Sequence, residues 1–347
     1  MSQRKKTVVA FGCFAAGILL LRNPSLAAAG FQSGLRLCID TVLPALFPFF
    51  VLCDLMVYCL PGDNSLLRRL AGVFGMTASG LSVVLLSWLG GYAVCAKLTG
   101  TLYRQRALSG RNAAMVLFLG CCSSPGFVIG CVGGMLLGNL QVGMLLYGLQ
   151  LAANLLSAAL CLPLLPNDQT HCMDGGLPGK KEGISQSIGA AVDSSLQVCG
   201  CVLFFRVLGA VISPLLPPWP IAIPLVSAVL EISGGCADFA ALGGRSALYG
   251  CCFCLSFLGL SVWAQLGLLL QGAVPLPLLA VNRGIHLVAF WLMVYLFAKV
   301  LPGTVSVYST LPTRVIPMQR LPLDAAIMVF LFVCAALYKV RQNFYNK

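Results

Sequence analysis

The sequence predicts an all-α polytopic membrane protein. Of its 347 residues, 59% are hydrophobic and 9% are charged, whereas an ordinary soluble domain carries about 25% charged residues. The mean hydropathy is +0.92, and apolar residues form runs that reach the roughly 20 residues needed to cross a bilayer. Proline, glycine and serine interrupt several of these runs. The long runs predict transmembrane helices, and the interruptions predict broken helices.

The basic residues of the chain lie between its apolar runs. The formal net charge is +12, and Lys and Arg occur in short groups, as in residues 4–6, 68–69 and 104–111. Cytoplasmic loops of membrane proteins carry such an excess of Lys and Arg, whereas a nucleic-acid-binding protein presents a clustered basic face. We therefore expect the lipid bilayer as the surroundings of this chain and no nucleic acid as a partner.

The chain contains 17 cysteines, and most lie inside apolar runs, where cysteine acts as a small hydrophobic residue. Cys251 and Cys254 form a CxxC pair, but its surroundings are apolar and lack the strand–turn–helix pattern of a thioredoxin site. Because the chain has 2 histidines, a zinc site with histidine ligands is not predicted. We expect neither a metal nor a cofactor.

The first predicted element is a transmembrane helix over residues 1–30, whose basic start favours a cytoplasmic N-terminus. A cleaved signal peptide is the alternative, because residues 27–29 are three alanines, as at a cleavage site. Residues 35–60 form a second apolar run. Pro44 and Pro48 kink this run, because proline lacks the amide hydrogen and clashes with the preceding helical turn.

Two later segments predict re-entrant helical hairpins. Residues 112–139 hold two apolar arms on either side of Cys-Cys-Ser-Ser-Pro-Gly, and arms of about 11 to 13 residues are too short to cross a bilayer alone. Residues 248–270 contain the corresponding feature of the second half. The second arm of the first segment carries a glycine at every fourth position, which predicts a ridge for close helix packing: Gly126, Gly130, Gly134 and Gly138.

We expect about eight spans and two hairpins from the lengths of the apolar runs. The alternative is that 71–99, which is interrupted by Gly90-Gly91, and 221–241 are broken spans. The predicted parts are an N-terminal transmembrane helix (1–30), a first repeat (31–165), a polar linker (166–186), a second repeat (187–301), and a C-terminal loop with a transmembrane helix (302–347). The basic loop at 104–111 should be cytoplasmic. Either one preceding segment is re-entrant, or the N-terminal orientation is reversed, and both alternatives stay open.

The two halves of the chain share the order of their interruptions. Duplicated halves with paired, interrupted apolar segments are typical of secondary transporters. A helix break in the membrane persists only where it lines a cavity or is covered by protein, and half-helix N-termini favour a carboxylate or phosphate. The matched segments are 37–44 with 190–197, 86–93 with 230–237, and 122–128 with 255–261.

Six motifs together resemble the YlbJ family of sporulation integral membrane proteins, also called SpoVV: RLCIDTVLPALFPFFVL, GGYAVCAKLTGTLY, CCSSPGFVIGCVGG, LEISGGCADFA, SFLGLSVWAQ and NRGIHL. The resemblance runs from about residue 30 to 300. The family is part of a wider group with nucleoside-recognition Gate domains, related to concentrative nucleoside transporters and to the membrane part of ferrous-iron transporters. The resemblance implies inverted repeats, a role in spore formation and a place in the mother-cell-derived membrane around the forespore. It also implies dipicolinic acid, a small aromatic dicarboxylate, as cargo.

The resemblance also implies a set of substrate-binding residues. The first tip is Ser123, Ser124 and Gly126, the second is Gly259 and Ser261 with Gln265 beyond it, and Glu231 with Ser233 forms an acidic-hydroxyl pair before glycine. Two positions depart from the family pattern. Cys121-Cys122 stands where a more polar pair is expected, and Trp263 stands where a smaller or polar residue is expected.

Charged residues inside apolar segments are candidates for function, because a charge costs about 2.5–3.5 kcal/mol at the helix centre on insertion scales. Glu231 is expected to line the substrate site or to bind and release a coupling proton. The alternative is that its carboxylate is a buried partner of a nearby arginine or hydroxyl. Asp40 and Asp193, which match across the repeat, are candidates for helix capping or interhelical contacts as much as for substrate contact.

An anionic cargo suggests a cationic side chain in the site. Arg283 is the preferred candidate, because His286 lies three residues later on the same helix face. Snorkelling to the lipid headgroups is the alternative, and it suits Arg206 and Arg245 better. Lys97 is expected either to line the cavity or to mark a membrane boundary.

The function favoured by these patterns is transport of a small organic anion by alternating access, with a proton or sodium as the coupling ion. A nucleoside or nucleobase transporter is the alternative within transport. A membrane-embedded enzyme is not expected, because such enzymes show acidic or histidine clusters and this chain has 10 acidic residues, thinly spread. A non-transporting scaffold of a sporulation complex would leave the paired helix breaks unexplained. The oligomeric state and the direction of transport stay open.

Overall fold

The computed structural model describes residues 3–59, 65–165, 183–270 and 272–300. Within these ranges every regular element is a helix and no strand occurs, so the prediction of an all-α polytopic membrane protein is confirmed. Residues 166–182 of the predicted linker and the predicted C-terminal part, 302–347, lie outside the described residues. Six helical stretches are long and apolar enough to cross a bilayer: Pro24–Leu52, Ala78–Arg104, Leu140–Leu164, Ile184–Leu215, Gly244–Leu270 and Leu276–Ala298.

The first half begins with α1 (Gln3–Arg22), α2 (Pro24–Leu37), the π-helical segment π1 (Cys38–Val42), α3 (Leu43–Cys59) and α4 (Ser65–Val73). It continues with α5 (Ala78–Arg104), α6 (Gly110–Gly120), the π-helical segment π2 (Gly126–Leu136) and α7 (Leu140–Cys161). The second half contains α8 (Ile184–Ile212), α9 (Ala222–Leu230), α10 (Ile232–Leu242), α11 (Gly244–Phe257), α12 (Gly259–Leu270) and α13 (Leu276–Val300).

Polar side chains fix the starts of several helices. A side-chain oxygen at the N-cap accepts a hydrogen bond from one of the first, otherwise unpaired backbone N–H groups. Inside a membrane this matters more than in water, because no solvent is present to satisfy those groups. The side-chain caps are Thr77 for α5, Ser109 for α6, Asn139 for α7 and Glu231 for α10.

α5 reverses its direction at Gly91, although it is long enough to span. Gly91 has φ 79°, a left-handed conformation that favours glycine. A Cβ on Gly80 would lie 3.3 Å from Val116 Cγ2, and Cys95 Sγ lies 3.7 Å from the carbonyl oxygen of the same Val116. In a straight helix, residues 80 and 95 would be about 22 Å apart. α5 is therefore a hairpin whose tip is Gly90-Gly91.

The second reversal lies between α9 and α10. A Cβ on Gly235 would lie 2.8 Å from Ala228 Cβ, whereas a straight helix would hold these residues about 10 Å apart. Glu231, the residue between the two helices, has an extended backbone with φ −154° and ψ 135°. The aligned Gly-Gly pairs of the two halves therefore differ in role, because the tip is at Gly91 in the first half and at Glu231, before Gly234-Gly235, in the second.

The hairpins predicted at 112–139 and 248–270 are corrected by these contacts. α6 and π2 do not pack side by side, and neither do α11 and α12. Instead π2 packs against α7 and α3, and α12 packs against α5 and α9. Each predicted hairpin is a broken helix, and the two reversals lie in the segments that precede the breaks.

The predicted glycine ridge of π2 is only partly formed. Gly126 and Gly130 both face Ala45 of α3. Gly134 instead faces Leu140, and Gly138 lies beyond the end of π2 with φ 68°. The reason is the winding of π2, because a π-helix bonds residue i to i+5 and residues four apart then drift off one face.

The reversal in α5 bears on the orientation of the chain. A hairpin returns the chain to the side from which it entered, so it removes one crossing before the basic loop that follows α5. The positive-inside rule requires such a removal if the N-terminus is cytoplasmic. α5 is thus the re-entrant segment that the first alternative requires, on the condition that α1 and the stretch Pro24–Leu52 each cross once.

Candidate functional site

The tip of each hairpin lies against the break of the helix that follows it. A Cβ on Gly91, at the first tip, would lie 3.0 Å from the backbone nitrogen of Ser124 in the first break. A Cβ on Gly259, at the second break, would lie 3.0 Å from Cα of Glu231 at the second tip. The same arrangement therefore occurs once in each half of the chain.

A small cavity opens where these elements meet. The first tip contributes Gly91 and Tyr92, the first break Ser123 and Ser124, and the second tip Ile232 and Ser233. Its apolar wall is formed by Leu46 and Phe50 of α3, Phe127 of π2 and Val198 of α8. The cavity thus lies between the two halves, and both hydroxyl-bearing and apolar, partly aromatic residues line it.

Three half-helices begin at this cavity. They are the second arm of α5 after Gly91, π2 after the first break, and α10 after Glu231. The N-terminal end of a helix carries partial positive charge and free N–H groups. Among the described residues that line the cavity, none is Lys or Arg. An anion in the cavity would be attracted by backbone dipoles rather than by a basic side chain.

The two serines of the first break have different environments. Ser124 Oγ accepts a hydrogen bond from the backbone N–H of Phe127 at 3.3 Å, so it helps to fix the start of π2. Ser123 is fully buried, and its Oγ has no hydrogen-bond partner among the described residues. An unpartnered buried hydroxyl costs about 1–3 kcal/mol, so Ser123 is ready to bind a polar group that enters the cavity.

Glu231 caps α10 and lies beside the cavity. Its side chain is 4% exposed, and its Oε2 accepts a hydrogen bond from the backbone N–H of Gly234 at 2.7 Å. The carboxylate therefore occupies one of the three half-helix N-termini. Ser233, two residues along, lines the cavity and is buried.

The residues predicted beyond the second break lie apart from the cavity. Ser261 and Gln265 are buried but are not among the lining residues. Gln265 Nε2 donates to Cys201 Sγ at 3.3 Å, whereas Ser261 Oγ has no partner among the described residues. Gly259 packs against Glu231 and Gly126 against Ala45, so both glycines permit close packing next to the cavity rather than lining it.

Arg283 lies away from the cavity, contrary to its predicted role as a substrate ligand. Arginine has five N–H donors, and all five are directed at protein acceptors. These are the carbonyl oxygens of Ser256 (3.0 Å), Cys121 (2.8 Å) and Leu255 (3.2 Å), Asn154 Oδ1 (3.1 Å) and His286 Nδ1 (3.1 Å). This set leaves Arg283 no donor for a substrate, so its contacts indicate a brace between the two broken helices.

His286 belongs to the same brace. Its Nδ1 lies 2.9 Å from Ser256 Oγ and 3.1 Å from an Arg283 nitrogen, and its Nε2 lies 3.3 Å from the carbonyl oxygen of Gln150. Because arginine can only donate, Nδ1 accepts and Nε2 carries the proton. The network therefore assigns a neutral imidazole that is fully hydrogen-bonded.

Arg206 also differs from its predicted snorkelling role. Its NH1 lies 2.7 Å and 2.6 Å from the two carboxylate oxygens of Asp238, which ties α8 to α10. Asp238 is therefore the ion-pair partner of Arg206. The same guanidinium also lies near Glu231, since a Cβ on Gly234 would lie 3.3 Å from Arg206 Nε and 3.5 Å from Glu231 Oε2. Lys97 and Asp40 are exposed, so neither lines the cavity.

Two tryptophans that the sequence analysis did not assign stabilise the breaks. Trp88 Nε1 donates to the carbonyl oxygen of Leu119 at 2.9 Å, and Trp263 Nε1 donates to that of Phe257 at 2.8 Å. Each carbonyl belongs to the last turn of the half-helix before a break, where intrahelical partners are missing. Trp88 and Trp263 stand at different places in the aligned halves, so the repeat offered no signal for them. The hydrogen bond to Phe257 O gives a structural reason for a tryptophan at position 263, where a smaller or polar residue was expected.

The two tryptophans provide a matched test. Leu119 O has a second donor, Asn154 Nδ2, at 3.2 Å, so Trp88→Phe leaves that carbonyl satisfied. We expect Trp263→Phe to be the more damaging change, by about 1 kcal/mol, the net value of a buried hydrogen bond. The melting temperatures of the two purified variants measure the difference. Equal losses of stability would contradict the assigned role of Trp263.

Comparison with known proteins adds no assignment. No family model, no curated protein and no solved structure matches the chain. The resemblance to the YlbJ family is carried by the sequence motifs and stays a prediction.

Proposed function

We propose that the chain is a membrane transporter of a small organic anion that works by alternating access. The observation that supports this most is the convergence of three half-helix N-termini on one interior cavity between the two halves. Broken helices in a membrane interior occur where they line a cavity or are covered by protein, and half-helix N-termini directed at an anionic substrate are a feature of secondary transporters.

The cavity walls support an aromatic carboxylate as cargo. Phe50, Tyr92 and Phe127 provide aromatic surface, and Ser123 and Ser233 provide hydroxyls. The two half-helix N-termini that Glu231 does not occupy, those of π2 and of the second arm of α5, would receive the carboxylate groups. Dipicolinic acid combines an aromatic ring with two carboxylates, and the family resemblance makes it the first cargo to test. The same resemblance places the proposed transport in sporulation, in the membrane around the forespore.

A nucleoside or nucleobase is the second candidate cargo. Hydroxyls and aromatic rings would also hydrogen-bond to and stack on a base, and the lining residues include no basic side chain that only an anion would require. A membrane scaffold without transport activity is less well supported, because it gives no use to the unpartnered Ser123 hydroxyl in the cavity.

Uptake of labelled dipicolinate into proteoliposomes tests the proposal. The purified chain is reconstituted, and unlabelled dipicolinate, other aromatic dicarboxylates and nucleosides compete for uptake. We expect the dicarboxylates to reduce uptake of labelled dipicolinate and nucleosides to leave it unchanged. Inhibition by nucleosides but not by dicarboxylates would favour a nucleoside or nucleobase as the cargo. If correctly inserted protein moves neither class, the transport proposal is wrong. Normal dipicolinate content in spores of a deletion strain would defeat the sporulation assignment.

Ser123→Ala should weaken substrate binding without unfolding the protein. The substitution removes a hydroxyl that has no partner in the described structure, so stability should be unchanged or slightly raised. The KM for dipicolinate should rise about tenfold, which corresponds to about 1.4 kcal/mol. Ser157→Ala is the matched control, because Ser157 is equally buried but bonds to Asn154 O in its own helix. Equal KM values for the two variants would contradict a role of Ser123 in the site.

A further inference from the structure

Arg283 lies where two half-helices end. Cys121 is the C-cap residue of α6 in the first half, and the last turn of α11 in the second half contains Leu255 and Ser256. Carbonyl oxygens of all three residues accept hydrogen bonds from the one guanidinium. Along the chain, Cys121 lies 162 positions away from Arg283, Leu255 lies 28 away and Ser256 lies 27 away. A single side chain of α13 therefore connects the two breaks.

The partners of Arg283 are all neutral groups. The guanidinium is 3% exposed, and no carboxylate is among its acceptors. Arg206 provides the contrast, because it forms an ion pair with Asp238. The charge of Arg283 is instead balanced by the partial negative charge at the C-terminal ends of helices, where carbonyl groups lack intrahelical partners.

Neighbouring side chains hold this arrangement in place. Asn154 accepts from Arg283 through Oδ1 and donates through Nδ2 to Leu119 O, in the last turn of α6. His286 accepts from Arg283 and contacts Ser256 Oγ and Gln150 O. The guanidinium is thus enclosed by a network that uses α6, α7, α11 and α13.

Half-helix C-termini and unwound carbonyls are where transporters with broken helices coordinate an alkali cation. We propose that Arg283 is a resident cation that takes the place of such an ion and positions the two breaks relative to each other. The breaks are then held together without an exchangeable ion at this position. The inference rests on the proposed function where it concerns transport, and it leaves no place for an exchangeable sodium ion at these two helix ends.

The test is stability of the purified protein in different cations, which needs no substrate. Arg283→Ala removes the guanidinium and leaves its acceptors unpaired. Melting curves are recorded by tryptophan fluorescence in sodium, potassium or choline chloride, with and without low-millimolar guanidinium. Wild-type protein should melt at the same temperature in each alkali salt. Arg283→Ala should melt lower and recover by about 2–4 °C when sodium or guanidinium fills the vacated place.

Arg245→Ala is the control variant, because Arg245 is exposed and its removal should produce no cation response. If Arg283→Ala does not fold, Arg283→Lys and Arg283→Gln are compared, since one keeps the charge and the other keeps only hydrogen bonding. The proposal expects the lysine variant to be the more stable of the two. A glutamine variant at least as stable as the lysine variant, or a wild-type protein that needs sodium for stability, would overturn it.

The outcomes separate this inference from the transport proposal. A chain that transports no anion, but whose Arg283→Ala variant is rescued by cations, supports the resident cation and rejects the proposed function. A chain that transports dipicolinate only with sodium, and whose Arg283→Ala variant shows no cation response, supports transport and rejects the resident cation.

Discussion

Gly235→Ala is expected to be among the most damaging substitutions in the protein. The added methyl group would lie 2.8 Å from both the backbone nitrogen and the Cβ of Ala228 on the opposing helix of the second hairpin. Backbone atoms cannot move aside as a flexible side chain can, and overpacking costs typically about 1–3 kcal/mol. We expect a loss near the upper end of that range, and loss of uptake, because the second tip would move relative to the break that it contacts.

The melting temperature and the uptake rate of the same purified variant measure this effect. Gly148→Ala in α7 is the matched control, because a Cβ there meets no atom within 4 Å. Alanine is intrinsically better than glycine in a helix by about 1 kcal/mol, so the control should be neutral or more stable than the wild type. A stable and active Gly235→Ala variant would show that α9 and α10 do not pack as closely as described.

Glu231→Gln is expected to abolish accumulation of the anion against its gradient while preserving exchange. Among the described residues Glu231 is the one fully buried carboxylate, and it occupies the N-terminus of α10 next to the cavity. Glutamine retains an oxygen that can accept from Gly234 N–H, so the helix cap and the hairpin should survive. The substitution removes the titratable charge, and with it the means to couple the cavity to a proton.

Two assays on one set of proteoliposomes distinguish these effects. Uptake driven by an imposed pH gradient should fall at least about tenfold, equivalent to about 1.4 kcal/mol, whereas exchange of internal for external dipicolinate should persist. Glu231→Ala should lose both, because it also removes the cap, at a cost of about 1 kcal/mol. Asp40→Asn is the control, since Asp40 is exposed. Gradient-driven uptake that persists in Glu231→Gln would exclude this residue as the coupling group.

The positions of the helix breaks could be predicted from the sequence because their causes are local. Pro125 cannot continue a regular helix, and the first break lies directly before π2, where the sequence analysis placed an interruption. The second break lies at Leu258-Gly259, with φ 72° and 75°, and Gly259 is the glycine that aligns with Gly126. Ser123 and Ser233 were likewise selected from sequence, and the structure places both at the cavity.

The hairpins could be located only in part, because the Gly90-Gly91 interruption is visible in sequence but a reversal of direction there is not. Residues 78–104 form an apolar helical stretch long enough to span, and composition alone predicts a crossing. Its reversal occurs at Gly91, whose backbone lies close to Ser124, more than thirty residues later in the chain. The role of Arg283 was equally hidden, because its spacing from His286 is visible in sequence but its acceptor Cys121 O is 162 positions away.

The sequence by itself thus determined that the protein lies in a lipid bilayer, that its fold is all-α, and where its helices are interrupted. In lipid, an unbroken helix satisfies its own backbone groups within one turn, so these properties follow from neighbouring residues. Only the tertiary structure decided which segments turn back and which serine at the cavity has no hydrogen-bond partner. It also showed that Arg283 hydrogen-bonds to the two broken helices and does not line the cavity. At every break the freed N–H and C=O groups need partners, and in this chain those partners come from distant segments that folding brings together.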